Sequence, residues 1–257
     1  RGLGDVYKRQ VEQQARALVQ RHLEGEPVAY LIGEWEFYGL PLDISERVLI
    51  PRPDTEVLAA AAIEGLQGVE SPRVLDLCAG SGCVGLAVAK HVSGSHMVLG
   101  EIDEGALRVC RQNIRRTGLS GQVVSMQLNA LEKASPRLGE FDCIVSNPPY
   151  IPDGDIAGLD PSVRDYEPHL ALKGGTDGLD FYRAIVENYT PALKKGGFVC
   201  FEFGMGQGDD VCRILEENGY AILERTRDYN DRERAVLAQY GRKEDCCLLY
   251  TSDAADD

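Results

Sequence analysis

Val74-Leu75-Asp76-Leu77-Cys78-Ala79-Gly80-Ser81-Gly82-Cys83-Val84-Gly85 is an apolar run of strand length that breaks into a glycine turn and resumes as an apolar helix. Glycine, lacking a Cβ, adopts φ > 0 and lets the backbone approach a ligand, so this order predicts a ligand-binding connection. The chain repeats the alternation. Short apolar runs at 74–77, 97–100, 123–127, 143–146 and 198–203 are separated by helical stretches such as 82–92, 104–117 and 181–193. Strands alternating with helices predict an α/β fold, a parallel sheet with helices on both faces that binds ligands at the carboxyl ends of its strands. Upstream, 11–22 has helical spacing, and 34–50 alternates like two short strands around a Gly39-Leu40-Pro41 turn. Asp54 is placed to cap a helix over 55–66.

Taken alone, Gly80-x-Gly82-x-x-Gly85 also fits a dinucleotide fingerprint, so a nicotinamide or flavin nucleotide competes as the ligand. Asp76 favours S-adenosylmethionine, because a carboxylate at the end of the first strand attracts that cofactor's ammonium and repels a pyrophosphate. Cys78, Ala79, Gly80, Ser81 and Gly82 form the expected contact loop. Glu101, just after the second strand, is placed to accept both ribose hydroxyls, with Asp103 as the neighbouring candidate. Asn129, followed by Ala130, stands after the third strand, where its amide either reads an adenine edge or closes a solvated turn.

The run 141–146 ends in Asn147-Pro148-Pro149-Tyr150. Two prolines cannot continue a sheet interior, since each fixes φ and has no N–H to donate, so the segment is held extended. An amide or aryl amine nitrogen is a poor nucleophile because its lone pair is delocalised. The Asn147 side-chain oxygen and the Pro148 carbonyl can accept its two N–H groups and aim it at an electrophilic methyl, while Tyr150 offers a flat wall. Acceptors so placed stabilise the positive charge the nitrogen gains in the transition state. The pattern predicts methylation of a planar amide-type nitrogen.

Composition narrows the alternatives. The 257 residues suffice for one sizeable domain and a small appendage. A net charge of −14 disfavours affinity built on phosphate neutralisation, which relies on Lys and Arg. No apolar run of membrane-spanning length and no signal-peptide pattern are present, so a cytoplasmic monomer is expected. Eight scattered cysteines and four isolated histidines predict reduced core thiols and no metal site. Back-translated, 1–10 and 247–257 are related by reverse complementation, as a transposase adapter from a sequencing library would be. Both are expected to be translated adapter and are set aside from fold reasoning.

Beyond the tetrapeptide, 25–33 (GEPVAYLIG), 36–40 (EFYGL), 50–56 (IPRPDTE), 163–168 (VRDYEP) and 174–182 (GGTDGLDFY) resemble segments of the release factor glutamine methyltransferases, the HemK-type family. The resemblance spans roughly 12 to 240. It implies a seven-stranded class I (Rossmann-like) S-adenosylmethionine-dependent methyltransferase fold over 51–246. A remnant of a small N-terminal helical domain would occupy 11–33 and a β-hairpin linker 34–50. It implies as substrate the glutamine in the Gly-Gly-Gln motif of bacterial class 1 peptide chain release factors, methylated on its side-chain amide nitrogen. Cofactor contacts would fall on the 78–82 loop, Glu101, Ala130 and Asn147, and Pro51, Arg52 and Glu56 would lie near the substrate glutamine. Cys78-Ala79 departs from the family, which often carries Gly-Thr or Gly-Cys there. Competing readings are a glutamine methyltransferase of a ribosomal protein, a nucleic-acid adenine or cytosine amino methyltransferase, a nucleotide-dependent oxidoreductase, and a scaffold that docks a release factor without turnover.

Overall fold

The protein, for which we use a computed structural model, is described over residues 3–241. The chain opens with α1 (Leu3–Leu23) and α2 (Val28–Ile32), followed by a ribbon of β1 (Glu34–Phe37) and β2 (Leu40–Asp43). After α3 (Glu56–Gly65) the alternation begins: β3 (Arg73–Leu77), α4 (Cys83–His91), β4 (His96–Glu101), α5 (Glu104–Arg116), β5 (Val123–Gln127) and β6 (Phe141–Ser146). It continues through α6 (Pro161–Arg164), α7 (Asp180–Tyr189), β7 (Leu193–Glu202) and α8 (Gly208–Glu217) to a terminal pair, β8 (Tyr220–Arg227) and β9 (Glu233–Tyr240). Helix α1 runs unbroken across the boundary expected between residues 10 and 11, while 247–257 fall outside the described residues.

The seven strands form one sheet in the order β5-β4-β3-β6-β7-β9-β8. The connections leave β3 toward one edge through β4 and β5, then return beside β3 with β6 and continue to the other edge. The switch point is therefore between β3 and β6, where a crevice opens at the strand ends. Successive strand residues feed opposite faces. Val74, Cys143, Val145 and Cys200 join one core cluster with α3 and α4, whereas Leu75, Leu77, Ile144 and Phe201 join the other with α7 and α8. Burial on both faces is why β6 reads as a continuous apolar run.

Three expectations need correction. The sheet is mixed, not purely parallel: β9 pairs antiparallel with both β7 and β8. The hairpin turns at Tyr38-Gly39, with φ of 51° and 75°, the two left-handed residues a tight two-residue connection demands. Leu40 and Pro41 belong to β2, Pro41 opposite Glu36 on a ribbon with free edges where a missing N–H is tolerated. Asp54 does not cap α3. Residues Pro53–Thr55 form a 3₁₀ turn, Thr55 takes the cap position, and Asp54 instead faces Arg234 at 3.5 Å.

Candidate active site

The glycine turn is built for close approach. Gly80 has φ of 55°, and a Cβ there would meet nothing within 4 Å, so its backbone lies open to the crevice. Gly82 starts α4 in the left-handed region, and Gly85 packs so tightly that a Cβ would overlap Leu99. Cys78 is itself left-handed at φ of 59°, a conformation costing a non-glycine residue about 1–2 kcal/mol. Glycine would take the same conformation without that strain.

Two carboxylates brace this loop. Asp76 is buried in β3 and accepts the Gly85 N–H at 2.8 Å. Burial pushes its carboxyl up to about 7, against the lowering effect of that hydrogen bond. Glu101, at the end of β4, accepts from Gly80 N at 2.9 Å through Oε2, and from Ile102 N at 2.7 Å and Asp103 N at 2.9 Å through Oε1. A carboxylate offers about four acceptor directions, so one on Oε2 remains; clasping two hydroxyls requires the Gly80 N–H to yield its place. Asp103 is occupied as the α5 cap, accepting from Ala106 N at 2.8 Å.

These groups line a cavity of about 340 Å³ at the switch point. Asp76, the 78–81 loop, Glu101 and Asp103 form one wall; Pro51, Arg52, Thr55, Asn147, Pro149 and Phe181 form the other. The donor set suits a cofactor with a cationic amine and hydroxyls. Gly80 supplies the cradle, and beside it Ser81 Oγ is buried without a hydrogen-bond partner among the described residues. Among the described residues no cluster of three or more His, Cys, Asp or Glu with metal-holding geometry occurs.

Not every predicted residue reaches the cavity. Asn129 turns its amide to its own loop, donating to Glu132 at 3.0 Å and accepting from Leu131 N at 3.0 Å, and neither it nor Ala130 lines the wall. Gly82 also lies behind the wall, serving helix packing. Glu56 points to the hairpin and accepts from Tyr38 N at 3.0 Å. Pro148 and Tyr150 sit behind Asn147 and Pro149, with the Tyr150 ring packed where a Cβ on Gly204 would touch it at 3.0 Å. Phe181, at the start of α7, gives the cavity its aromatic wall instead.

Sequence reasoning missed four supporting residues. Asn113 of α5 is fully buried and joins β2 to the glycine loop, donating to Asp43 O at 3.1 Å and Ser81 O at 2.9 Å and accepting from Asp43 N at 2.7 Å. Its only signal was an amide on the apolar side of a helix. Glu167 is buried, accepts from Ile50 N at 3.2 Å and pairs with Arg52, tying the 163–168 segment to the cavity rim. Glu202, at the end of β7, follows the residue paired with Ser146 and so stands beside Asn147, and Arg234 of β9 donates to the adjacent Phe203 carbonyl at 3.4 Å.

Comparisons with known proteins agree with this geometry. A Methyltransferase small domain family model matches residues 55–158. The release factor glutamine methyltransferase of Clostridium acetobutylicum is 40% identical over 215 residues, covering 84% of this chain and 75% of the relative. That of Geobacter sulfurreducens is 38% identical over 226 residues, covering 88% and 78%. The crystal structure of ribosomal protein L11 methylase from Lactobacillus delbrueckii subsp. bulgaricus aligns with a TM-score of 0.52 at 19% identity, over 72% of this chain and 77% of that one, a likeness of fold alone. Identity of this order across most of both chains, together with a glycine-loop cavity closed by a strand-end Asn-Pro-Pro-Tyr, places the chain in the release factor glutamine methyltransferase family.

Proposed function

We propose that this chain transfers a methyl group from S-adenosylmethionine to the side-chain amide nitrogen of the Gly-Gly-Gln glutamine of class 1 peptide chain release factors. The observation that carries the reading is the position of Asn147, whose carboxamide opens onto the same cavity as Asp76 and Glu101. When bound, the cofactor supplies a methyl group made electrophilic by its sulfonium.

Asp76 would face the cofactor's ammonium, the 78–81 backbone its chain, and Glu101 its ribose. The Asn147 Oδ1 would accept one N–H of the substrate amide, and the Pro148 carbonyl, set just behind the cavity wall, would have to turn inward to take the other and hold the nitrogen in line; such positioning supplies as much as about 7–11 kcal/mol of barrier reduction. Phe181 and Pro149 give the planar group its walls. Residues 51–246 would carry the chemistry. Residues 11–33 would help hold the release factor, a role supported by Val11, Leu18, Val19 and Leu23 of α1, all exposed. The hairpin within 34–50 would set that segment against the catalytic part, and 1–10 and 247–257 would take no part. Among the described residues no helix is long and apolar enough to cross a membrane, which agrees with a cytoplasmic partner.

The test is transfer of labelled methyl to a class 1 release factor, beside its Gly-Gly-Ala form, a ribosomal protein fraction and a DNA duplex. Label in the Gly-Gly-Gln protein only, lowered at least about 100-fold by Asn147→Ala, is expected. Label in DNA or ribosomal protein instead would overturn the substrate assignment.

A further inference from the structure

Glu202 ends β7 with only 2% of its surface exposed and, like Asp76 and Glu101, is a carboxylate buried near the strand ends of the sheet. Ser146 of β6 pairs with Phe201, so the next step of each strand sets Asn147 beside Glu202. Asn147 Nδ2 lies 3.3 Å from Thr55 Oγ1, and Thr55 is itself buried. Thr55 and Asn147 are close enough to lower the Glu202 carboxyl, while its Oε2 has no hydrogen-bond partner among the described residues. A buried acceptor left partly unsatisfied is costly and needs a reason to persist.

The reason is a problem of asparagine chemistry. Rotating a carboxamide by half a turn exchanges its oxygen for its NH2 with almost no change of shape. With the NH2 facing the substrate, Asn147 would present donors to donors and repel the amide it must hold. An acceptor behind the NH2 removes that ambiguity.

Resting on the reading of Asn147 given above, we propose that Glu202 is a positioning residue for methyl transfer. Its carboxylate, directly and through the Thr55 hydroxyl, draws the Asn147 NH2 inward and so turns the Asn147 oxygen toward the acceptor amide. Thr55 can accept from Asn147 and donate onward to Glu202, a chain in which each bond polarises the next. The negative charge below Asn147 also favours the positive charge that develops on the substrate nitrogen.

The surroundings let this carboxyl titrate. Burial raises it to about 7; Thr55, Arg234 of β9 and Asn147 lower it, and Asp54 raises it. Tyr150 after β6, Tyr182 of α7 and Cys83 of α4 also face it. Protonated, Glu202 would offer Asn147 a donor in place of an acceptor, so turnover should rise with pH through about 7.

Single-turnover and steady-state methyl transfer to a Gly-Gly-Gln release factor test this in wild type, Glu202→Gln, Thr55→Val and Thr55→Ser, with unfolding midpoints and cofactor dissociation constants measured alongside. Glu202→Gln and Thr55→Val should lower kcat about 10- to 100-fold, as a small misplacement of a reacting group does, with KM moved less than about threefold. Glu202→Gln should also abolish the rise of kcat through neutrality, and Thr55→Ser should restore activity. Wild-type kcat and pH profile in Glu202→Gln, with Asn147→Ala inactive, would overturn the proposal while leaving the glutamine reading intact. Loss of folding in Glu202→Gln shifts the decision to Thr55→Val, whose full activity would overturn it equally. Absence of label with wild-type protein that binds cofactor would refute the substrate reading instead.

Discussion

Gly85 tests whether close helix-to-strand approach, and not helix propensity, governs the cofactor loop. Its φ is ordinary, so alanine could adopt the helix and, by propensity alone, would stabilise α4 by about 1 kcal/mol. The new Cβ would, however, overlap Leu99 and lie 2.9 Å from Asp76 Oδ2. Carbon atoms settle near 3.5–4.0 Å, so roughly that spacing must be recovered by moving a residue of β4 that has no exposed surface, or by moving α4 off the sheet. Overpacking of this kind costs about 1–3 kcal/mol. With a buried leucine on one side and a buried carboxylate on the other, the upper end applies, and the net loss is about 2 kcal/mol. For a chain of this size each kcal/mol moves the midpoint by about 2–4 °C, so Gly85→Ala should melt about 4–8 °C lower by scanning calorimetry. Its cofactor affinity should fall as well, because Asp76 must turn away from the Gly85 N–H. Gly121→Ala is the control: a Cβ there meets nothing within 4 Å, and its midpoint should stay close to wild type. A Gly85→Ala melting point at or above wild type would refute the reasoning.

The remaining expectations concern charge and the residues the cavity leaves out. Asp76 and Glu202 are both pushed up to about 7 chiefly by burial, from ordinary values of 3.8 and 4.5. The folded chain thus holds protons the unfolded chain has already released, so their contribution to stability falls as pH rises from about 4 to about 7 and levels off above. Urea midpoints across that range should show the fall, and Glu202→Gln should flatten part of it; an unaltered slope would remove Glu202 from the titration. Arg52→Met leaves the buried Glu167 carboxylate with one hydrogen bond, and should cost about 1–3 kcal/mol in urea unfolding, less than a fully buried pair because the arginine is partly solvated. An unchanged midpoint would mean water already screens the pair. Asn129→Ala should leave cofactor affinity within about twofold, since its amide serves its own turn; a tenfold loss would restore the adenine contact.

The sequence made legible whatever depends on local pattern. The strand, glycine turn and helix at β3 and α4 follow from apolar periodicity and glycine conformation, and β6 with its proline stop from the same logic. Glu101 was legible because a strand-end position is fixed by counting. The pair β8 and β9 was not read from the residues, because β8 is an edge strand with mostly solvated side chains and no run of apolar residues to announce it. Asn129, for which an adenine contact and a solvated turn both stood open, bonds within its own turn, because a turn asparagine satisfies its own backbone as readily as a ligand. Phe181 and not Tyr150 lines the cavity because a strand-end position fixes where the backbone goes, not which face an aromatic ring takes. Glu202, Arg234 and Asn113 were invisible for a further reason. Each acts through neighbours distant in sequence, Asn113 through Asp43 and Ser81, Glu202 through Asn147, and Arg234 through Asp54, and only the tertiary fold brings them together.

The placement of β9 has a consequence for how the molecule comes into being. The last strand among the described residues is not at the rim of the sheet but inserted between two strands that precede it in the chain. Until it emerges, β7 presents an unpaired edge carrying Phe198, Val199, Cys200 and Phe201, a template for pairing with another chain. The same strand delivers Arg234, which pairs with Asp228 and reaches the Phe203 carbonyl, next to Glu202 at the end of β7. A nascent chain lacking it has its glycine loop and tetrapeptide already made, yet neither a closed sheet nor Arg234 in place. Competence and resistance to aggregation thus depend on the same strand.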